Sequence, residues 1–179
     1  TESNQQQAAA EAEYVRILEA AEAQLNQSAY LLGDRPTAVD CIVLGGLRAH
    51  TNMDPTPKKV TAGFPKVIAW SETEADRWKG VGELAPFPDS TEFAQFVLGE
   101  MTTTYQPYLL ANREASSVGA KAFSANIYGE TVSYLTRLYP PLSAALVSDR
   151  IKNTLDVEET VLVENWLNHV GLHACFWEG

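Results

Sequence analysis

The chain has 179 residues, 45% of them hydrophobic and 20% charged, enough to bury a core without a disulfide or metal staple. Thirteen basic residues against 23 acidic ones leave a formal charge of −10, which argues against binding to phosphate backbones. No run of 18 apolar residues is present to span a membrane, so neither nucleic acid nor membrane is expected as a partner.

Residues 1–7 are polar and low in complexity, and fraying is expected there. From Ala8 to about Gln27, Tyr14, Ile17, Leu18, Ala21 and Leu25 recur every three or four residues, predicting an amphipathic helix with one buried face. A connection follows, with Gly33-Asp34 as its turn. Thr37 and Asp40 then form a helix-start signal: the hydroxyl can accept from the N–H three residues on, and the carboxylate can reach back to the N–H of Thr37. The almost wholly apolar run Val39–Leu47 predicts a helix buried on most sides, and Gly45-Gly46 predicts close approach by a neighbouring helix. A buried, inert Cys41 goes with that reading.

Residues 52–63, with Pro55 and Pro57, read as a loop. Pro65 suits the first turn of another helix, with Val67, Ile68, Trp70 and Trp78 on its apolar side. After a Gly- and Pro-rich loop over 79–89, a helix starts near Thr91, with Phe93, Phe96, Val97, Met101, Tyr105 and Tyr108 or Leu109 inward and Pro107 set to kink or end it. A small β-hairpin fits near 123–134. Helix returns from about Pro141 to Leu155, and Asp156 with Glu159 opens a last helix ending at Gly171. The fold class is therefore all-α, a helical bundle with a small hairpin.

Two segments carry a resemblance. Leu31-Leu32-Gly33-Asp34, then Thr37-x-x-Asp40 opening an apolar helix, resembles the C-terminal helical domain of glutathione S-transferases. Phe64-Pro65-Lys66-Val67-Ile68-Ala69-Trp70 is similar to the motif with which that family starts its next helix. The match covers residues 8–80, and residues 81–179 are expected as a helical extension packed on the same domain. The resemblance implies the substrate-binding half of a transferase-like protein, acting on an apolar electrophilic small molecule. Glutathione would be the co-substrate of the parent protein, held by a thioredoxin-like domain of the same protein. No strand-rich segment precedes the first helix, so no catalytic residue carries over. The chain alone is expected to be inactive and to bind no cofactor. A homodimer or a protein partner stays open, as does a non-catalytic interaction or small-ligand-binding module.

By that resemblance Arg48, His50 and Asn52 are candidate substrate-pocket residues, and Trp70 and Tyr105, aromatics at helical spacing, are candidates for an apolar pocket between helices, while Thr37 and Asp40 form a structural cap. Polar groups at the end of an apolar helix otherwise need internal partners. His169 and His173 stand four apart, but Gly171 between them ends the helix and no third ligand is evident, so no metal site is expected. Two distant cysteines, Cys41 and Cys175, and no basic-then-apolar leader point to a cytoplasmic protein.

Overall fold

The structure, a computed structural model, describes residues 3–73 and 78–177. Thr1 and Glu2 of the expected frayed stretch, and 74–77 of the expected 8–80 core, lie outside the described residues. The fold is mostly helical with one small antiparallel sheet. The chain divides into two compact units, one of residues 7–97 and one of 98–179 with 1–6. The division follows the packing: Phe93 and Val97 join the first core, whereas Leu98 and Met101 join the second.

In the unit 7–97, helix α1 (Asn4–Leu25) runs in from the other unit and begins earlier than the sequence suggests. Its apolar stripe packs as its spacing predicts: Leu18 and Ala21 are buried with Leu31, Leu47, Val67, Trp70 and Phe93, and Tyr14, Ile17 and Leu25 flank them. Glu22, on the polar side of the stripe, has its own task. Its carboxylate accepts the N–H groups of Lys66 and Val67 at 2.9–3.0 Å, capping helix α4 (Pro65–Ser71). Residues 52–63 are not all loop. Pro55 and Pro57 fall in the first turn of helix α3 (Pro55–Thr61), where a missing N–H costs nothing. Helix α4 stops at Ser71, so Trp78 is not on its apolar side; its indole Nε1 donates to the Val81 carbonyl at 2.8 Å, beneath the Arg35 guanidinium.

Helix α2 (Ala38–Gly46) departs most from expectation. Asp40 is 1% exposed, but Ile42 is 74% exposed, and a Cβ placed on Gly45 or Gly46 would meet nothing within 4 Å. One side of α2 carries Asp40, Val43 and Leu44 towards the core, while no element among the described residues covers the opposite side. Cys41 is exposed, not buried, because it follows the inward Asp40 by about 100° of helical turn.

Helix α5 (Glu92–Thr103), whose residues from Leu98 on belong to the other unit, ends before helix α6 (Tyr105–Ser117) begins, so one expected helix is two. The break falls at Thr104, and Pro107 lies within the first turn of α6, where it needs no N–H. The hairpin is present: β1 (Ala122–Ile127) pairs antiparallel with β2 (Glu130–Leu135), Ile127 opposite Glu130. Tyr128 and Gly129 both have positive φ (54° and 78°), as a two-residue turn matching strand twist requires. Phe123 and Tyr134, cross-strand neighbours, both meet Tyr108 of α6 edge-on, with ring centroids 5.3 and 5.2 Å away. Ser3, Gln5 and Gln6 bond to Glu130 and to the carbonyls of Tyr128 and Ile127. Helix α7 (Tyr139–Thr154) and helix α8 (Val157–His169) follow. Asp156 and Glu159 exchange two hydrogen bonds at the start of α8, at 2.9 and 3.1 Å. A final turn, α9 (His173–Phe176), completes a core of Leu109, Ala144, Leu167, Leu172 and Cys175.

Candidate functional site

The residues singled out by sequence fall into three places. The first is the start of α2. Asp40 accepts the N–H of Leu31 at 2.9 Å through Oδ1, and both the N–H and the O–H of Thr37 at 2.8 Å through Oδ2. One buried carboxylate therefore ties the connection after α1 to the first turn of α2, and Thr37 acts there as a donor. Gly33 makes this possible from the other side: with φ +132° it lets residues 83–85 pair with the connection, through Asp34 N–H to Glu83 O at 2.8 Å and Ala85 N–H to Leu32 O at 2.9 Å.

The second place is the end of α2. There the backbone widens into a π-helical turn (Leu47–Thr51), closed by Asn52 N–H to Leu47 O at 2.7 Å. The inserted residue changes which way Arg48, His50 and Asn52 point, an effect no 3.6-residue periodicity reports. The Arg48 guanidinium donates to the carbonyls of Ser71 and Thr73, and Asn52 Nδ2 donates to Ser71 Oγ at 3.2 Å. Arg48 and Asn52 thus converge on the C-terminal end of α4, next to Trp70. The Trp70 indole Nε1 is buried without a hydrogen-bond partner among the described residues. His50 is exposed.

The third place is in the other unit, where Tyr105 stacks on Phe176 with centroids 6.4 Å apart. Burial raises the Tyr105 phenol pKa, with the neighbouring Cys175 adding to the rise. Burial also raises the Cys175 thiol, against the lowering effect of Arg113. Arg113 is spent on structure, donating to the carbonyls of Ala174 and Cys175 at 3.0 and 2.8 Å. His169 ends α8, and His173 begins α9 beyond Gly171 and sits 3.4 Å from Glu164. Among the described residues no three His, Cys, Asp or Glu side chains cluster to hold a metal.

Sequence reasoning passed over Asn112. Fully buried on α6, it donates to the Arg137 carbonyl at 2.7 Å and accepts the Arg137 N–H at 2.9 Å. An uncharged polar residue one turn past Leu109, on the helix face that packs inward, was the available signal.

The motif order, the Asp40 node and the helical core bear directly on kinship. Residues 1–77 match the family model for the glutathione S-transferase C-terminal domain. Over that segment, less than half of its length, the chain is similar to the family. No curated protein and no solved structure matches the chain. The Asp40 node and the Arg48–Asn52–Ser71 cluster both lie inside the matched residues, whereas Tyr105 lies outside them. Among the described residues no helix is long and apolar enough to cross a membrane.

Proposed function

We propose that this chain is the apolar-substrate-binding half of a glutathione S-transferase-like protein, incomplete as a catalyst without a thioredoxin-like domain that binds glutathione. The observation that carries this reading is the family match over residues 1–77. The second substrate would be an apolar electrophile, and no residue here is assigned thiol activation. Arg48, His50, Asn52 and Trp70 are proposed as polar and aromatic wall. Three of them gather around Ser71, and the Trp70 indole N–H is a donor without a partner among the described residues. Tyr105 is proposed separately, as a protonated hydroxyl facing ligand within its own unit.

The open face of α2 supports a thioredoxin-like domain as partner. Two glycines in mid-helix lower helix propensity, and an exposed Ile42 leaves apolar surface in water; a neighbour seated on them would compensate both. A cytoplasmic setting is part of the same proposal.

The second reading is a non-catalytic docking or ligand-binding module. It is favoured by one observation: two cavities among the described residues, of about 690 and 400 Å³, are lined by residues of 98–179 and 1–6 and by none of the five pocket candidates. Two measurements separate the readings. The chain alone, given glutathione and 1-chloro-2,4-dinitrobenzene, is expected to form thioether at the uncatalysed rate; a catalysed rate overturns the first reading. The intact mass of the endogenous protein is expected to exceed this chain by an N-terminal domain of about 50–100 residues. A native mass near 19.6 kDa would favour the module.

A further inference from the structure

A different site lies in the unit 98–179, outside the residues that match the family and independent of the function proposed above. A cavity of about 400 Å³ opens where α6 ends, β1 begins and β2 leaves the hairpin, with Lys121, Leu135, Thr136, Arg137 and Leu138 in its wall. Its backbone is held on both sides. Thr136 N–H donates to the Lys121 carbonyl at 3.0 Å, extending the Ala122–Leu135 pairing by one step, and buried Asn112 clamps both backbone groups of Arg137. Lys121 stands opposite Thr136 and Arg137 follows one position on, and both cations are in the wall of this one cavity. In a chain with 23 acidic residues, neither Lys121 nor Arg137 makes an ion pair among the described residues. The Thr136 hydroxyl is shielded from solvent and has no partner there either. The positive end of the α7 dipole begins two residues after Arg137.

The apolar part is equally organised. Leu138 is 76% exposed at the cavity lip, and Leu142 and Leu146 follow at 56% and 61%, four residues apart along α7. They form one stripe leading away from the cations, about 12 Å from first to last. A bare inorganic anion would leave this stripe in water, and a neutral apolar molecule would leave the two charges unmatched. We propose that this cavity binds an amphipathic organic monoanion: the carboxylate lies between Lys121 and Arg137, and the alkyl chain lies along Leu138, Leu142 and Leu146.

The test is calorimetric titration of the full chain with sodium dodecanoate below its micellar concentration. Saturable binding of one dodecanoate per chain is expected, weakening as salt is added. Lys121→Gln and Arg137→Gln should each weaken it roughly tenfold, the effect of losing a charge-assisted hydrogen bond. Leu142→Asn should weaken dodecanoate while leaving the much weaker binding of acetate unchanged. All three side chains project from exposed positions, so unchanged circular-dichroism melts are expected for the variants. The proposal is overturned by absent or non-saturable binding, or by a folded Lys121→Gln/Arg137→Gln double variant that binds as tightly as the parent. Binding to phosphatidylglycerol vesicles without binding to monomeric dodecanoate would also overturn it, giving the patch to a membrane surface. A dodecanoate-insensitive dimer that Leu142→Asn dissolves would overturn it in favour of a second copy.

Discussion

Asp40 Oδ1 accepts the backbone N–H of Leu31 at 2.9 Å, so a helix-start carboxylate also holds the chain nine residues earlier. Leu31 is fully buried in the core that α1 and α4 share. Removing the carboxylate strands three donors, two on the Thr37 side and one on Leu31. Asp40→Ala should therefore cost roughly 2–4 kcal/mol, more than a surface cap. A drop in Tm of about 5–10 °C is expected in thermal melts. An unchanged Tm would remove the node from the account of stability.

Gly33 and Gly45 should respond in opposite directions to alanine. At Gly33 a Cβ would lie 2.5 Å from the Glu83 carbonyl at φ +132°, so Gly33→Ala should destabilise by about 1–3 kcal/mol from the backbone alone, with the clash in addition. At Gly45 a Cβ meets nothing, and Gly45→Ala should stabilise this chain by about 0.5–1 kcal/mol through helix propensity. Urea unfolding of both variants checks the pair. If a thioredoxin-like domain seats on α2, the same Gly45→Ala change should weaken assembly with it, the reverse of its effect on the chain alone.

Alkaline pH should loosen the unit 98–179. Burial raises both the Cys175 thiol and the Tyr105 phenol, so the folded chain keeps these protons to higher pH than the unfolded chain does. Where the folded state holds more protons, rising pH favours unfolding. This contribution is intact below the ordinary thiol value of 9.0 and declines as pH climbs above it, with the phenol following above 10.0. Urea midpoints should fall between about pH 9 and about pH 10.5, and Cys175→Ala should make that fall shallower. A midpoint that stays level across this range would contradict the burial of both groups.

The two thiols should separate by access. Cys41 is exposed and Cys175 is fully buried. Ellman's reagent should label Cys41 promptly in the native chain and Cys175 only in denaturant, and Cys41→Ser should abolish the native reaction. Equal native labelling of both would show that the last core is open.

Much of the chain was legible because its signals are local. A cap, a two-residue turn or a stripe every third or fourth residue is specified within one or two turns of chain. Hence the α1 stripe, Thr37 with Asp40, the hairpin and the Asp156–Glu159 start could be read from residues alone. Pro55, Pro57 and Pro107 misled for the opposite reason: a proline marks a boundary, but whether a helix ends before it or begins around it depends on neighbouring turns. The π-turn that turns Arg48 and Asn52 towards Ser71 leaves no trace in periodicity, because it inserts a residue without changing composition.

What the tertiary structure alone decided is which surfaces are covered. An apolar run such as Val39–Leu47 states that burial would be favourable, not that a neighbour exists, and α2 leaves Ile42, Gly45 and Gly46 open because no other element among the described residues of the unit reaches them. The pairing of Lys121 with Arg137 is of the same kind. Sixteen positions separate them, and only the closing of the hairpin, with Asn112 holding the Arg137 backbone, brings both into the wall of one cavity. Local energetics determine where helices and turns begin; long-range packing determines which residues share an environment, and chemistry depends on that environment.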